Sequence, residues 1–451
     1  MRVSVVGLGK LGLPLAGVLA DRGHEVTGID LRSPVVDAIN GGRCPVEESG
    51  LEALLERSRT RLRATTDCDA VAATDATFIV VPTPSMESGR FSNALVLDAI
   101  ASVGAALRRS TAYHVVAVTS TVVPTSMDTE IRPALERASG RRVGDSLGFC
   151  YNPQFIALGS VIRDLTEADL VLIGESDARA GAVIEALHRS FAASHSQVRR
   201  MSCVNAEIAK LALNTFVTTK ISYANMLAEL CERLPGANVD VVTGALGLDR
   251  RVGSNYLKGA LGYGGPCFPR DNAAFAAVAA SVGANAELAL ATDAVNRHQL
   301  ARLADLVRAR LRPGASRVGI LGLSYKADTC VTDDSPGLML ANRLAAGGVS
   351  VTAFDPAANA EAAPRLERSI VVAPTMAECI AAADVAVVTV PWPVFREIPA
   401  LLSGRPRPSL VVIDCWRLLE RGSIDGLAEL VHLGRAPAGM PVIARSELSR
   451  S

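Results

Sequence analysis

Arg2-Val3-Ser4-Val5-Val6-Gly7-Leu8-Gly9-Lys10-Leu11-Gly12 opens the chain, and the order of its parts decides the fold. A short apolar strand runs directly into a glycine turn, residues 13–22 read as a helix, and a second strand at 25–29 ends in Asp30. Strand, Gly-x-Gly-x-x-Gly, helix, strand and acid in this order form a dinucleotide-binding unit. Gly7 permits the tight turn, Gly9 lets a phosphate approach the backbone, and Gly12 lets helix and strand pack closely. The helix N-terminus then receives the pyrophosphate. Asp30 is placed to accept hydrogen bonds from the adenine ribose hydroxyls and to repel a 2′-phosphate, so the pattern predicts NAD rather than NADP.

Further strands are expected at 77–81 and 115–119. They end in Pro82-Thr83-Pro84 and Ser120-Thr121-Val122, which puts hydroxyls and prolines at the carboxyl edge of the sheet, where such sheets bind ligands. The second half repeats the design with a strand at 317–321, Gly322 in the turn, a helix near 336–346, and a strand at 350–354 ending in Asp355. It lacks the full three-glycine pattern, so a related domain for a different nucleotide-like ligand is expected.

Between the halves, residues 204–234 hold no Gly or Pro, which predicts one helix of about 31 residues, roughly 45 Å long, stopped by Pro235. Glu207, Lys210, Asn214, Thr218 and Asn225 fall on one stripe of it. Polar side chains along a buried helix must be paired, so the stripe marks either a site or a polar seam. The apolar surface beside it suits the spine of a dimer. The expected class is α/β, with two Rossmann-like, doubly wound parallel-sheet domains joined by this helix. The expected boundaries are 1–200, 201–310 and 311–451.

One thiol stands out in Gly262-Tyr263-Gly264-Gly265-Pro266-Cys267-Phe268-Pro269-Arg270-Asp271. Pro269 suits the first turn of a helix that residues 272–280 continue. A sulfur at that helix start, beside Arg270, is expected to favour its thiolate. A buried structural cysteine is the alternative for Cys267 taken alone.

The chain has 451 residues, 49% of them hydrophobic and 20% charged, enough for a large core and too apolar for a disordered chain. With 46 basic and 46 acidic residues there is no net field to attract nucleic acid or a membrane surface. The basic run 57–63 is read as a solvated helix end or loop. Nine cysteines without a Cys-x-x-Cys pair, and six histidines without ligand spacing, predict no metal site and a reducing compartment. No stretch reaches the roughly 18 apolar residues of a membrane span, and the N-terminus does not read as a signal peptide. A soluble, cytoplasmic protein is expected.

Taken together, the segments 7–16, 39–51, 82–84, 120–122, 152–153, 210–214, 251–271 and 322–329 resemble the nucleotide-sugar dehydrogenases, the family of UDP-glucose 6-dehydrogenase and GDP-mannose 6-dehydrogenase. The resemblance covers nearly the whole chain. It implies NAD-dependent, four-electron oxidation of the C6 primary alcohol of a nucleotide sugar, with UDP-glucose to UDP-glucuronate the expected case, in a homodimer. Cys267 falls on the family's catalytic cysteine, Lys210 on its lysine, Asn214 on its asparagine, Asp271 on its water-activating aspartate and Thr121 on its threonine. Cys267 would form a thiohemiacetal and then a thioester, with Lys210 and Asn214 stabilising the oxyanion. The implied cofactor site comprises Gly7, Gly9, Lys10, Leu11, Gly12 and Asp30 together with Pro82, Thr83, Ser120 and Thr121. The implied substrate site adds Gln154, Phe155, Tyr256, Lys258, Gly264 and Lys326 to Lys210 and Asn214, with Arg251 near a dimer boundary.

The sequence also departs from that family. Gln154 and Leu158 stand where it carries two glutamates, the first implicated in thioester hydrolysis, and an amide cannot take a proton from water. Asp333 stands where it carries a cofactor-side arginine, Trp416-Arg417 replaces Arg-Asn, and Pro266 and Arg270 replace a serine and a lysine. Two other readings follow: a two-electron dehydrogenase stopping at an aldehyde or ketone, and a non-catalytic nucleotide-binding protein of the same fold.

Overall fold

A computed structural model describes residues 1–312, 317–404 and 406–437. They form two compact units, Met1–Leu213 with Ala277–Gly283, and Asn214–Ala276 with the chain from Ala284 onward.

The first unit is built on β1 (Arg2–Val6), β2 (Glu25–Ile29), β3 (Leu62–Thr65), β4 (Ala76–Ile79), β5 (His114–Val118), β6 (Leu147–Tyr151), β7 (Leu170–Glu175) and β8 (Gln197–Met201). They lie in the order β3-β2-β1-β4-β5-β6-β7-β8. Neighbours from β3 to β6 are parallel, with Val3 opposite Val26 and Ala76. The parallel sheet has one reversal, where β7 runs antiparallel to β6 before β8 pairs parallel with it.

Burial explains the apolar runs. Val3 and Val5 belong to one core cluster and Val6 to another, so β1 is packed on both faces, as a central parallel strand must be. The following helix, Gly12–Asp21, buries every residue from Gly12 to Ala20. It lies between the sheet and the helix Leu51–Ser58, and a Cβ on Gly17 would come within 3.0 Å of Leu54. The basic run divides between the end of that second helix, the turn that carries Arg61 and the edge strand β3, where Arg63 is exposed. Charge on an edge strand discourages pairing with other chains.

The long helix predicted at 204–234 spans Cys203–Arg233, 31 residues. Its polar stripe is buried throughout, from Glu207 through Lys210, Asn214 and Thr218 to Asn225. Each of these side chains therefore has to find a partner.

The second unit carries β9 (Arg317–Leu321), β10 (Ser350–Phe354), β11 (Val371–Val372), β12 (Val385–Val388), β13 (Val411–Asp414) and β14 (Glu429–His432). Their order is β11-β10-β9-β12-β13-β14, all parallel. Gly322 and Gly337 repeat the glycine contact of the first unit: a Cβ on Gly337 would sit 2.1 Å from the Gly322 carbonyl oxygen, just as one on Gly12 would sit 1.8 Å from that of Gly7. The loop between them, 323–336, is much longer than 8–11. That insertion, carrying Tyr325 and Lys326, is why the three-glycine spacing is not legible in the second half.

Asp355 at the end of β10 is fully engaged in this unit. Its carboxylate accepts from the amides of Leu323 (2.7 Å), Ser324, Ala357 and Ala358 (each 2.9 Å), the Ser324 hydroxyl (3.0 Å) and the Trp392 indole (3.2 Å). It pins the long loop to the sheet rather than offering itself to a ribose. Replacing Asp355 by Ala leaves several buried donors unsatisfied, and the expected loss is about 3 kcal/mol in urea unfolding; a loss below about 1 kcal/mol would mean that water replaces the carboxylate.

Candidate active site

The glycine turn is the candidate cofactor site of the first unit. Gly7 has φ 93° and closes the turn, where any Cβ would lie 2.2 Å from the Val80 carbonyl oxygen. Gly9 differs, since a Cβ there would meet nothing within 4 Å. The helix that follows has no side-chain cap and no acid in its first turn. Open space over Gly9 and uncapped N–H groups are what a pyrophosphate requires, so the turn fits a dinucleotide. The corresponding helix of the second unit, Pro336–Ala346, is instead capped by the Ser335 hydroxyl, which accepts from the Leu338 amide at 3.3 Å.

Lys10 is exposed on this turn, while Leu11 packs against the core. Asp30 is buried, accepts from the Leu8 amide at 2.9 Å and takes a two-point ion pair from Arg32 at 2.9 and 3.0 Å. Burial opposes its ionisation, but Arg32 and the two backbone amides outweigh it and hold the carboxyl below its ordinary range.

At the carboxyl edge of the same sheet two loops are clamped together. The Ser120 hydroxyl accepts from the Val81 amide at 2.9 Å and donates to the Val81 carbonyl at 2.6 Å. Thr83 donates to the Thr121 carbonyl at 2.7 Å, and Pro82 stays exposed between them. Beyond Thr121 the chain dives through the buried residues Val122, Val123 and Pro124 and emerges at Thr125, whose φ is 77°.

The central helix supplies the next side chains. Glu207, completely buried, accepts from the Thr125 and Met127 amides, both at 2.8 Å. Burial lifts its carboxyl to about 7, although the two amides pull it back. Lys210 donates to the Gln154 carbonyl at 2.8 Å, and its ammonium lies 4.6 Å from the centre of the Phe155 ring.

Gln154 turns its amide inward, donating to the carbonyl and side-chain oxygens of Asn152 at 3.1 and 2.9 Å. Asn152 is anchored by His188 at 2.8 Å and by the Leu172 carbonyl at 2.9 Å. Leu158 packs on the apolar core, and Glu48 holds that loop by accepting from the Gly159 and Val161 amides at 2.8 and 2.9 Å. Sequence reasoning missed the roles of Asn152 and Glu48. Both lie in segments already quoted for the resemblance, so position was the available signal.

The thiol belongs to the second unit, immediately before the helix Phe268–Ser281. Cys267 is exposed, which removes the buried structural alternative, and its carbonyl accepts the helix bond from the Asp271 amide at 2.8 Å. Asp271, buried, accepts from Asn214 at 2.6 Å, with the Arg270 guanidinium 3.6 Å from its other oxygen. Tyr256 meets Phe268 edge-on, ring centres 6.1 Å apart.

The thiol loop is held on all sides. Asn225 clamps its start, donating to the Leu261 carbonyl and accepting from the Ala260 amide, each at 2.8 Å. Asn296 pairs with both backbone groups of Tyr263 at 2.8 and 3.0 Å. The Gly265 amide donates to the Asp333 carbonyl at 2.8 Å. Side chains are excluded here, because a Cβ would lie 2.1 Å from the Asp334 carbonyl oxygen at Gly264 and 2.6 Å from the Tyr325 ring at Gly265. Asn296 and Tyr325 carried no pattern that marked them in advance.

Arg251 pairs with its neighbour Asp249 at 2.7 Å and is otherwise exposed, as is Lys258, while Lys326 is half-buried on the 323–336 loop. Asp333, in the arginine's place, pairs with Arg365 at 2.8 Å. Arg417 is buried against Asp240 at 2.8 Å, with Arg435 on the same carboxylate at 3.1 Å, so this departure supports the fold of the second unit. Among the described residues, no group of three or more His, Cys, Asp or Glu is arranged to hold a metal, and no helix is long and apolar enough to cross a membrane.

Three models of one family match successive parts of the chain. They are the UDP-glucose/GDP-mannose dehydrogenase family NAD binding domain over residues 1–192, its central domain over 204–298 and its UDP binding domain over 319–421. The UDP-glucose 6-dehydrogenase AglM of Haloferax volcanii is 37% identical over 428 residues, covering 93% of this chain and 98% of that protein. The GDP-mannose 6-dehydrogenase of Pseudomonas putida is 33% identical over 360 residues, covering 79% and 81%. The solved UDP-glucose dehydrogenase of Pyrobaculum islandicum superposes with a TM-score of 0.86 at 30% identity, covering 96% of this chain and 98% of its own.

Two glycine substitutions separate cofactor binding from folding. Gly9→Ala enters open space, so its Tm should match the parent while NAD affinity falls at least roughly tenfold, about 1.4 kcal/mol, by calorimetry. Gly12→Ala meets backbone and should lower stability by about 2–3 kcal/mol in chemical unfolding. Equal effects of the two on NAD affinity and on stability would contradict this division.

Proposed function

This chain belongs to the UDP-glucose/GDP-mannose dehydrogenase family, with NAD as cofactor, and on that premise we propose that it oxidises the C6 alcohol of a nucleotide sugar fully to the carboxylate. UDP-glucose is the substrate we favour, since the Haloferax UDP-glucose enzyme is similar over more of the chain and at higher identity than the Pseudomonas GDP-mannose enzyme. The observation that carries the reading is the buried Asn214–Asp271 pair, one helical turn from an exposed Cys267.

Gly7, Gly9, Gly12 and Asp30 would hold NAD, which when bound accepts hydride at both oxidation stages. Loss of hydride and proton from the alcohol gives an aldehyde, with a water on Asp271 taking the proton. Cys267 Sγ adds to the aldehyde carbon, and the thiohemiacetal loses a second hydride and a proton to become a thioester. The ammonium of Lys210 and the amide of Asn214 oppose negative charge on the substrate oxygen. Their orientations are set beforehand by Gln154 and Asp271. Water then cleaves the thioester to the acid and returns the thiol. Asp271 is the carboxylate we assign to that last step, because the Gln154 amide takes no proton and Leu158 packs on the core.

Gln154 and Leu158 also favour a second reading, in which oxidation stops after two electrons. The exposed Phe216, Tyr223, Met226 and Leu230 on the central helix support a homodimer. The matched family segments support an NAD domain over 1–200, a middle region over 201–310 and a nucleotide-sugar domain over 311–451. The sequence contains no metal-ligand spacing and no apolar span, in keeping with a cytoplasmic enzyme acting on a small substrate.

Counting NADH per sugar across a panel of nucleotide sugars, with the product weighed by mass spectrometry, tests the proposal. Two NADH and a uronate are expected; one NADH with accumulating aldehyde would establish the second reading. Cys267→Ser should form no acid and yield at most one NADH per sugar, since a hydroxyl is too weak a nucleophile without a dedicated base. Asp271→Asn should slow acid release and let the thioester accumulate, detectable as a mass adduct on the protein; normal turnover in that variant would move the hydrolytic role elsewhere.

A further inference from the structure

Glu207 lies outside the residues assigned a chemical role above, yet it is fully buried and its carboxylate is aimed at a loop instead of a cation. A buried carboxylate is costly, and a chain retains one where its acceptor capacity is needed. Both oxygens are used: one takes the Thr125 amide and the other the Met127 amide, each at 2.8 Å. Thr125 sits at φ 77°, a conformation that a β-branched residue adopts only when its surroundings impose it. Directly after it the chain makes a π turn, Met127–Ile131, rather than a regular α-helix.

The grip matters because of what the loop carries. Thr121 is tied on one side by Thr83, and Ser120 by both backbone groups of Val81. On its other side run the buried residues Val122, Val123 and Pro124, and then the Thr125 amide on Glu207. Thr121 thus hangs between two anchors, one of which is a single carboxylate. Glu207 stands one turn before Lys210 on the same helix, so one rigid element sets both the lysine and the far end of the threonine loop.

We propose that Glu207 is a positioning residue, whose carboxylate holds the 121–127 loop so that Thr121 faces the reacting sugar and cofactor. The proposal rests on the active-site role that the family resemblance implies for Thr121. It makes turnover sensitive to pH: protonation removes one of the two acceptors, and the carboxyl changes charge at about 7. The charged and titratable neighbours are Asp128 on the turn, which pushes that value up, and Cys203 one helical turn back, whose thiol burial pushes up to about 12. Arg132 acts in the opposite sense on Cys203, and Lys210 is committed to Gln154.

The test is steady-state kinetics from pH 5.5 to 9 on the parent enzyme, Glu207→Gln, Asp128→Asn and Thr121→Ala. The parent kcat should fall on acidification through about pH 7. Glu207→Gln should lose at least tenfold in kcat, keep its KM for NAD within threefold, and no longer show that acid limb. One buried amide then faces a side-chain NH2, so some loss of Tm is expected from that alone; what a merely structural role would not produce is the loss of the acid limb with KM for NAD kept, and a retained acid limb overturns the proposal. Asp128→Asn, at an exposed position, should move the acid limb to lower pH, and an unmoved limb overturns the proposal even if the glutamine variant fails to fold. Parental kcat in Glu207→Gln while Thr121→Ala is impaired overturns this inference alone. Parental kcat in Thr121→Ala overturns the reading of the site and this inference with it.

Discussion

A polar side chain buried on a long apolar helix must be matched by a partner from another element, and that requirement organises this protein. Glu207, Lys210, Asn214 and Asn225 stand on one face of Cys203–Arg233, and each closes on a different loop or helix start. Unpaired, any one of them would cost more than a surface contact can return. Paired, Glu207 and Lys210 fix the Thr125 loop and the Gln154 segment in the first unit, while Asn214 and Asn225 fix Asp271 and the start of the thiol loop in the second. The stripe is a polar seam in which every one of these side chains is paired.

A second constraint is backbone contact at glycine. Gly7 with Gly12, and Gly322 with Gly337, bring a turn against a helix so closely that no Cβ fits. The first pair leaves Gly9 open above an uncapped helix, whereas the second encloses a long loop, caps its helix with Ser335 and commits Asp355 to pinning that loop. One architecture therefore yields a phosphate cradle in one unit and a loop platform in the other. The difference lies in the length of the loop between the paired glycines, 323–336 against 8–11, and in the Ser335 cap.

The departures from the family separate by what they touch. Arg417 is absorbed by Asp240 and needs no ligand. Asp333 is balanced by Arg365, and its backbone carbonyl, not its charge, supports Gly265 beside the thiol. Gln154 is different, because its carbonyl orients Lys210 while its amide is spent on Asn152. The acceptor for Lys210 is the backbone carbonyl, which any side chain at this position leaves in place, whereas a proton acceptor is lost when glutamate becomes glutamine.

Much of this was determined by the sequence alone. The glycine turn, the central helix and its stripe, the strand at 350–354 and the helix start after Cys267 follow from local rules, namely hydrophobic period, the φ freedom of glycine and the positions proline allows. The residues that the resemblance assigns to a site sit on those same motifs. Tertiary structure decided which partners those residues have. The capture of two amides by Glu207, the support that Asn225, Asn296 and Tyr325 give the thiol loop, the saturation of Asp355 and the reversal at β7 all join residues far apart in the chain. Such pairings are chosen by the need to satisfy buried polar groups and to exclude clashes, and neither requirement has a signature until the chain is folded.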